Sequence, residues 1–275
     1  MTEVTDTTSE ITTDTVQSAD GTLIGYRRLG SGPPVVIVHG SISTGEQWLQ
    51  VGADLAADHS VYLVDRRGRG LSGDAERYEL RTEAADITAV LAVAERDTGA
   101  PPVLVGHSFG AICTLETVRL GAEISSLVMY EPPLPVDGPV AGDHLADYAE
   151  AIDIRDYDGA MRIAAENFLR ISKEETDGLA ATPLWAGFLD LTPTWTRELA
   201  EIDATTSVLA EFAELPVRSL LLVGEVSPAH LIGASEYLKS TLPDVAEVVL
   251  PGQSHFAHVL DPTGVARSIR EFMSR

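Results

Sequence analysis

The 275-residue chain has a single cysteine, Cys113, and only two lysines, Lys173 and Lys239. One thiol excludes an internal disulfide and any multi-cysteine metal site. Cys113 falls in a stretch of helical character, where a small buried apolar residue is the ordinary reading. No apolar run approaches the roughly 20 residues needed to cross a bilayer. The first fifteen residues, MTEVTDTTSEITTDT, have neither a basic region nor an apolar core, so no secretory signal is expected. A soluble, cytoplasmic protein is the resulting expectation. With 42 Asp and Glu against 19 Lys and Arg, the formal net charge is −23. Such a surface repels phosphate backbones and anionic headgroups, so neither nucleic acid nor a membrane is an expected partner. Composition alone does not say whether the acidity reflects a GC-rich genome, the simpler account, or adaptation to high salt. No metal site or cofactor is expected.

What the chain does have is core material: 44% of its residues are hydrophobic, 22% are charged, and the mean hydropathy is +0.07. A folded domain follows, with residues 1–17 expected as a flexible tail because Thr, Asp and Glu there bury little surface. Segments 14–18 and 22–28 also read as a hairpin around Asp20-Gly21. Strand-like runs then alternate with helical ones. The strands are Val35–Val38, Ser60–Val64, Val103–Val105, Ser126–Tyr130, Val217–Val223 and Val245–Leu250. Helices are expected over 46–57, 79–97, 109–120, 230–241 and 262–273. This alternation predicts an α/β fold with a mostly parallel sheet covered on both faces. Residues 134–213 break the pattern with helical segments alone. They are expected as a helical cap inserted into a core formed by 18–133 and 214–275.

Gly106-His107-Ser108-Phe109-Gly110 matches G-x-S-x-G between a predicted strand and a predicted helix. A serine on so sharp a turn needs small neighbours two residues to either side. The helix N-terminus behind it favours developing negative charge. On these residues the chain resembles the α/β-hydrolase fold family. Three further segments match in order: His39-Gly40-Ser41, the D-x-R-G-x-G-x-S-like run from Asp65 to Ser72, and Gly252-Gln253-Ser254-His255. The resemblance spans roughly 18–275, interrupted by the insertion, and implies Ser108 as nucleophile and His255 as general base. It also implies an oxyanion hole made by the backbone N–H groups of Ser41 and Phe109.

The acid departs from the commoner pattern. Where most relatives carry Asp, in the loop after Val217–Val223, this chain has Ser227. Glu131, at the end of the preceding strand, is favoured in its place, with Glu225 as the alternative. The insertion carries many apolar side chains, of which Trp185 and Phe188 are pocket candidates together with Trp48. Serine in place of aspartate disfavours chemistry through an alkyl-enzyme ester. The leading expectation is hydrolysis of a small or medium apolar carboxylic ester or lactone. Carbon–carbon or amide hydrolysis, acyl transfer, and a non-catalytic binder of small ligands stay open, because fold alone does not choose among them. Oligomeric state is not legible.

Overall fold

The computed structural model describes residues 11–275. Eight strands form one sheet in the order β1-β2-β4-β3-β5-β6-β7-β8. They are β1 (Thr12–Gln17), β2 (Leu23–Leu29), β3 (Pro34–Val38), β4 (Ser60–Val64), β5 (Val103–His107), β6 (Ser126–Tyr130), β7 (Ser219–Gly224) and β8 (Val245–Leu250). The β1–β2 and β2–β4 pairs are antiparallel and every other pair is parallel. The core helices are α1 (Leu49–Leu55), α2 (Leu80–Thr98) and α3 (Phe109–Arg119). Between β6 and β7 come α4 (His144–Asp153), α5 (Tyr157–Asn167), α6 (Lys173–Ala180), α7 (Leu184–Ala204) and α8 (Leu209–Phe212). The chain finishes with α9 (Ala229–Thr241), α10 (Ala257–Leu260) and α11 (Pro262–Met273) around β8.

The period of two along each strand divides the core into two layers. Val36, Val38, Leu104, Leu127, Met129, Leu221 and Val223 face α2, α3 and the helical insertion. Val35, Ile37, Val105, Val128, Tyr130, Leu220 and Leu222 face α1 and α11. Burial on both faces is why β3 reads as an unbroken β-branched run, and all five of its residues are buried.

One expectation is corrected here. Residues 12–17 are not a tail but an edge strand, paired from Thr12↔Arg28 to Gln17↔Leu23. Their Thr and Val content suits a strand that buries little, and backbone pairing holds it where a hydrophobic face does not. Of the remainder of the expected tail, Ile11 precedes the strand and residues 1–10 lie outside the described residues.

The helices of the insertion are locally specified. Ser172 and Glu175 bond reciprocally across the start of α6, as their spacing predicts. Pro193 interrupts the hydrogen-bond ladder of α7. The Leu189 carbonyl, four residues earlier, is taken by Thr192 Oγ1 at 2.8 Å. Asp203, near the end of α7, accepts from the backbone N–H groups of Val140, Ala141 and Gly142 and so holds the strand-exit segment against the insertion.

Candidate active site

All the expected catalytic residues lie beyond the C-terminal ends of parallel strands, where open α/β sheets form crevices. Ser108 ends β5 and opens α3 with φ +54° and ψ −127°, and its N–H donates to Tyr130 O of β6 at 2.9 Å. A non-glycine residue at positive φ is strained, and it persists only where the surroundings impose it. The flanking glycines impose it here. A Cβ on Gly106 would lie 2.5 Å from Ala111 Cα, and one on Gly110 would lie 2.3 Å from His39 O. No larger residue fits either place, so the strand can turn abruptly into the helix.

Glu131 repeats the device at the end of β6, with φ +47°. That conformation turns its side chain across to the β7 end. Oε1 accepts from Gly224 N at 2.6 Å, and Oε2 meets His255 Nδ1 at 2.7 Å. The carboxyl is fully buried and His255 is 5% exposed. With a carboxylate on Nδ1, that nitrogen carries the proton, and Nε2 is left as the basic face of the ring. The loop bearing His255 is pinned through Tyr130. The Tyr130 hydroxyl donates to Ser254 O and accepts from Ala257 N at 3.0 Å.

The other two carboxylate-loop positions are elsewhere. Glu225 is exposed and accepts from Gly252 N at 2.7 Å, away from His255. Ser227 is tucked beneath Gly224, where a Cβ would come within 2.5 Å of its hydroxyl. Gly224 thus faces the serine on one side and donates its N–H to Glu131 on the other.

The loop His39–Ser41 lies directly on the elbow, and a Cβ on Gly40 would lie 2.8 Å from Ser108 Cβ. Neither Ser41 N–H nor Phe109 N–H has an acceptor among the described residues, and Ser108 Oγ likewise has no partner there. Ser41, Ser108 and His255 line one small cavity of about 20 Å³. Its remaining wall is mostly apolar and comes largely from the insertion, including Phe168, Leu169, Trp195, Leu199 and Ile202. A neighbouring hollow of about 230 Å³ shares Leu169, Leu231 and His255 with it.

The aromatic pocket candidates lie elsewhere. Trp48 is fully buried behind the site, stacked on His258 with centroids 4.7 Å apart. The Trp185 indole N–H donates to Asp158 at 2.9 Å. Phe188 lines a separate apolar groove with Leu179, Leu184, Phe256 and Leu260. Helical geometry accounts for Trp185, whereas Phe188, seven residues before Trp195 and within about 20° of it, lies on the same face about 10 Å along the axis. Ten residues separate Trp185 from Trp195, so the two point about 80° apart at 100° per residue. The face that reaches the cavity runs through Trp195, Leu199 and Ile202, an i, i+4, i+7 stripe visible in the sequence.

His230 was given no role by sequence, yet it lines the same cavity from the start of α9. The signal for it was its place just after β7, on the edge that carries Ser108. Burial, with Arg170 nearby, pushes its pKa down to about 4, so the ring is neutral. Burial also holds His107 well below the usual histidine range and takes His258 down to about 3. The His107 ring stands 4.6 Å from that of His255 and 4.4 Å from that of His258, and the two neutral rings act as uncharged packing. His107 Nε2–H donates to His255 O at 3.0 Å. Among the described residues, no cluster of His, Cys, Asp and Glu could hold a metal ion, and no helix is long and apolar enough to cross a membrane.

Residues 35–268 match the profile of the Alpha/beta hydrolase family. The chain belongs to that family. Similar solved structures include an alpha/beta hydrolase from Sphaerobacter thermophilus, 30% identical with a TM-score of 0.86, covering 94% of this chain and all of that one. Another is the esterase RhEst1 from Rhodococcus sp., 26% identical with a TM-score of 0.74, covering 95% of this chain and 98% of that one. Among curated relatives, a putative non-heme chloroperoxidase from Synechocystis sp. is 29% identical over 71% of this chain and 80% of its own. The α/β architecture expected from the alternation of strands and helices is thus that of an α/β-hydrolase fold.

Proposed function

We propose that this α/β hydrolase is a serine hydrolase cleaving a small or medium apolar carboxylic ester or lactone through an acyl-enzyme on Ser108. The observation that carries the reading is the buried His255–Glu131 pair beside a serine held on a strained, glycine-flanked turn. His255 Nε2 takes the Ser108 proton as Oγ attacks the carbonyl carbon. The carbonyl electron pair moves onto oxygen, where the N–H groups of Ser41 and Phe109 stabilise it. Collapse expels the alcohol oxygen, which receives the proton from His255. Water then repeats the sequence and releases the acid. Glu131 orients the imidazole and stabilises its charged form. The neutral rings of His107 and His258 add no opposing charge.

The wall favours a compact apolar acyl group, with the insertion acting as a cap over it. Three wall residues carry buried polar atoms without a partner among the described residues: Ser41 Oγ, Trp195 Nε1 and His230 Nδ1. A buried indole N–H ordinarily finds an acceptor. The substrate is therefore read as bearing an oxygen besides those of the scissile group, and a neutral one, since no Lys or Arg lines this cavity. The similarity to an esterase supports ester chemistry. The test is covalent labelling by a fluorophosphonate, with turnover measured on a panel of aryl esters and lactones. Labelling at Ser108 with ester turnover is the expected result. An unlabelled Ser108 with no turnover would overturn the reading.

A further inference from the structure

The run Asp65–Ser72 contains an arginine that ester cleavage, as described, does not use. Arg66 is 1% exposed and its side chain is entirely buried. Its Nη2, with two hydrogens to donate, lies within hydrogen-bond distance of Glu83 Oε1 at 2.7 Å, Glu198 Oε1 at 2.9 Å and the Tyr78 hydroxyl at 3.1 Å. Nε reaches Glu83 Oε2 at 3.2 Å. Arg69 donates to the same Glu198 oxygen, so two buried cations face two buried carboxylates. Burial would lower the Arg66 pKa, but Glu198 and Glu83 outweigh it and hold the guanidinium charged.

The remaining donor, Nη1, leaves this cluster and bonds Gly40 O at 3.2 Å. Gly40 O belongs to the peptide whose N–H is that of Ser41. A trans peptide points its carbonyl and its N–H in opposite directions. Holding the carbonyl from behind therefore fixes the direction of the Ser41 N–H and polarises it. His39 makes a second hold. Its Nδ1–H donates to the same carbonyl at 2.7 Å, while its Nε2 accepts from Arg66 N–H at 3.1 Å. Burial, followed by the charge of Arg66, keeps the His39 pKa well below its usual range, so Nε2 stays free to accept. The Arg66 guanidinium also lies 4.6 Å over the ring of Phe109, whose backbone N–H is the second donor. One buried side chain thus braces both residues of the proposed oxyanion hole, and Glu198 anchors it to α7 of the insertion.

We propose that Arg66 is a positioning residue that aims and polarises the Ser41 N–H at the developing oxyanion, and that Glu198 couples the insertion to this alignment. The inference rests on the reading of Ser108 as nucleophile and of Ser41 N–H as an oxyanion donor. A brace of this kind acts on the transition state and leaves the ground-state complex largely alone.

The test compares wild type with Arg66→Met, Arg66→Lys, Glu198→Gln and Arg66→Met/Glu198→Gln. The double variant removes one charge of each sign, which keeps the buried cluster balanced if Arg66→Met alone does not fold. On an aryl ester, kcat should fall on the order of 10- to 100-fold in Arg66→Met and in the double variant, with KM within about twofold. Affinity for a trifluoromethyl ketone, which forms a tetrahedral oxyanion on Ser108, should fall by the same factor. Arg66→Lys should recover part of the loss, and Glu198→Gln should lose less than Arg66→Met. Wild-type kcat and ketone affinity in folded Arg66 variants would overturn the inference while labelling and wild-type turnover left the nucleophile reading standing. An unlabelled, inactive wild type would instead sink the parent reading, and this one with it.

Discussion

The two walls of the Ser108 cavity are built on different principles. On the sheet side, Ser108 and Glu131 occupy positive-φ positions at strand ends, and glycines pack so closely that a methyl group would strike backbone. On the insertion side, Trp195, Leu199 and Ile202 project from an ordinary amphipathic helix. The first arrangement places polar atoms to within a fraction of an ångström and tolerates no change. The second sets the shape of the space, with the Trp195 N–H as its polar point. The contrast teaches that reactivity should reside in the strand ends and substrate choice in the insertion.

Substitutions can break or sharpen that contrast. Ser108→Ala should lower turnover of aryl esters by about 10⁴-fold or more while leaving the fold intact, as judged by thermal unfolding. Substantial residual turnover would remove Ser108 from the chemistry. Glu131→Gln should cost about 10³-fold in kcat, whereas Glu225→Gln should stay within about twofold because its partner is Gly252 N–H. The reverse order would move the acid from Glu131 to Glu225, in the loop after β7. On the same wall, Gly106→Ala should destabilise the protein by at least about 2 kcal/mol in denaturant titrations, through overpacking against α3.

Changes in the insertion should act differently. Trp195→Phe keeps an aromatic ring and removes the pyrrole part of the indole with its N–H. It should lower kcat/KM for a hydroxy- or oxo-ester roughly five- to tenfold relative to the unsubstituted ester, whose rate should hardly move. An equal effect on both esters would mean that the indole N–H contacts no substrate oxygen.

The smallest effect concerns pH. His258 is neutral in the fold down to about pH 3 because of burial first and His255 second, against an ordinary value of 6.5. Between those values the unfolded chain binds the extra proton. The contribution is complete above about pH 6.5 and is lost as pH falls toward 3. The melting temperature should therefore decline on acidification from pH 7 to 4. In His258→Phe the decline should be shallower, and an identical slope would show that this ring is not a source of it.

Much of this was legible from local pattern. The buried runs of β3, β5 and β6 and the G-x-S-x-G turn depend on the chemistry of adjacent residues, and so does the Ser172 capping box. The insertion announced itself because strands stopped recurring. The pocket wall was less legible. Trp48, Trp185 and Phe188 are apolar and in the right neighbourhood, but which face of a helix meets the cavity, and at what point along its axis, is set by what the helix packs against. His230 was invisible because a histidine in the first turn of a helix has no local signature, and only the shared edge of the sheet gives it a neighbour.

By itself, the sequence determined which residues could form the strands, where the chain had to turn sharply, and which serine and histidine would stand at strand ends. The strands and turns follow from steric and hydrophobic preferences within a few residues of each position, and the choice of serine and histidine from the resemblance of the motifs around them to those of the family. The tertiary structure alone decided which carboxylate reaches His255, which side of α7 faces Ser108, and how Arg66 ties the insertion to Gly40. Each of these joins residues tens to more than a hundred positions apart, and such contacts depend on the order and register of the strands, not on any local motif.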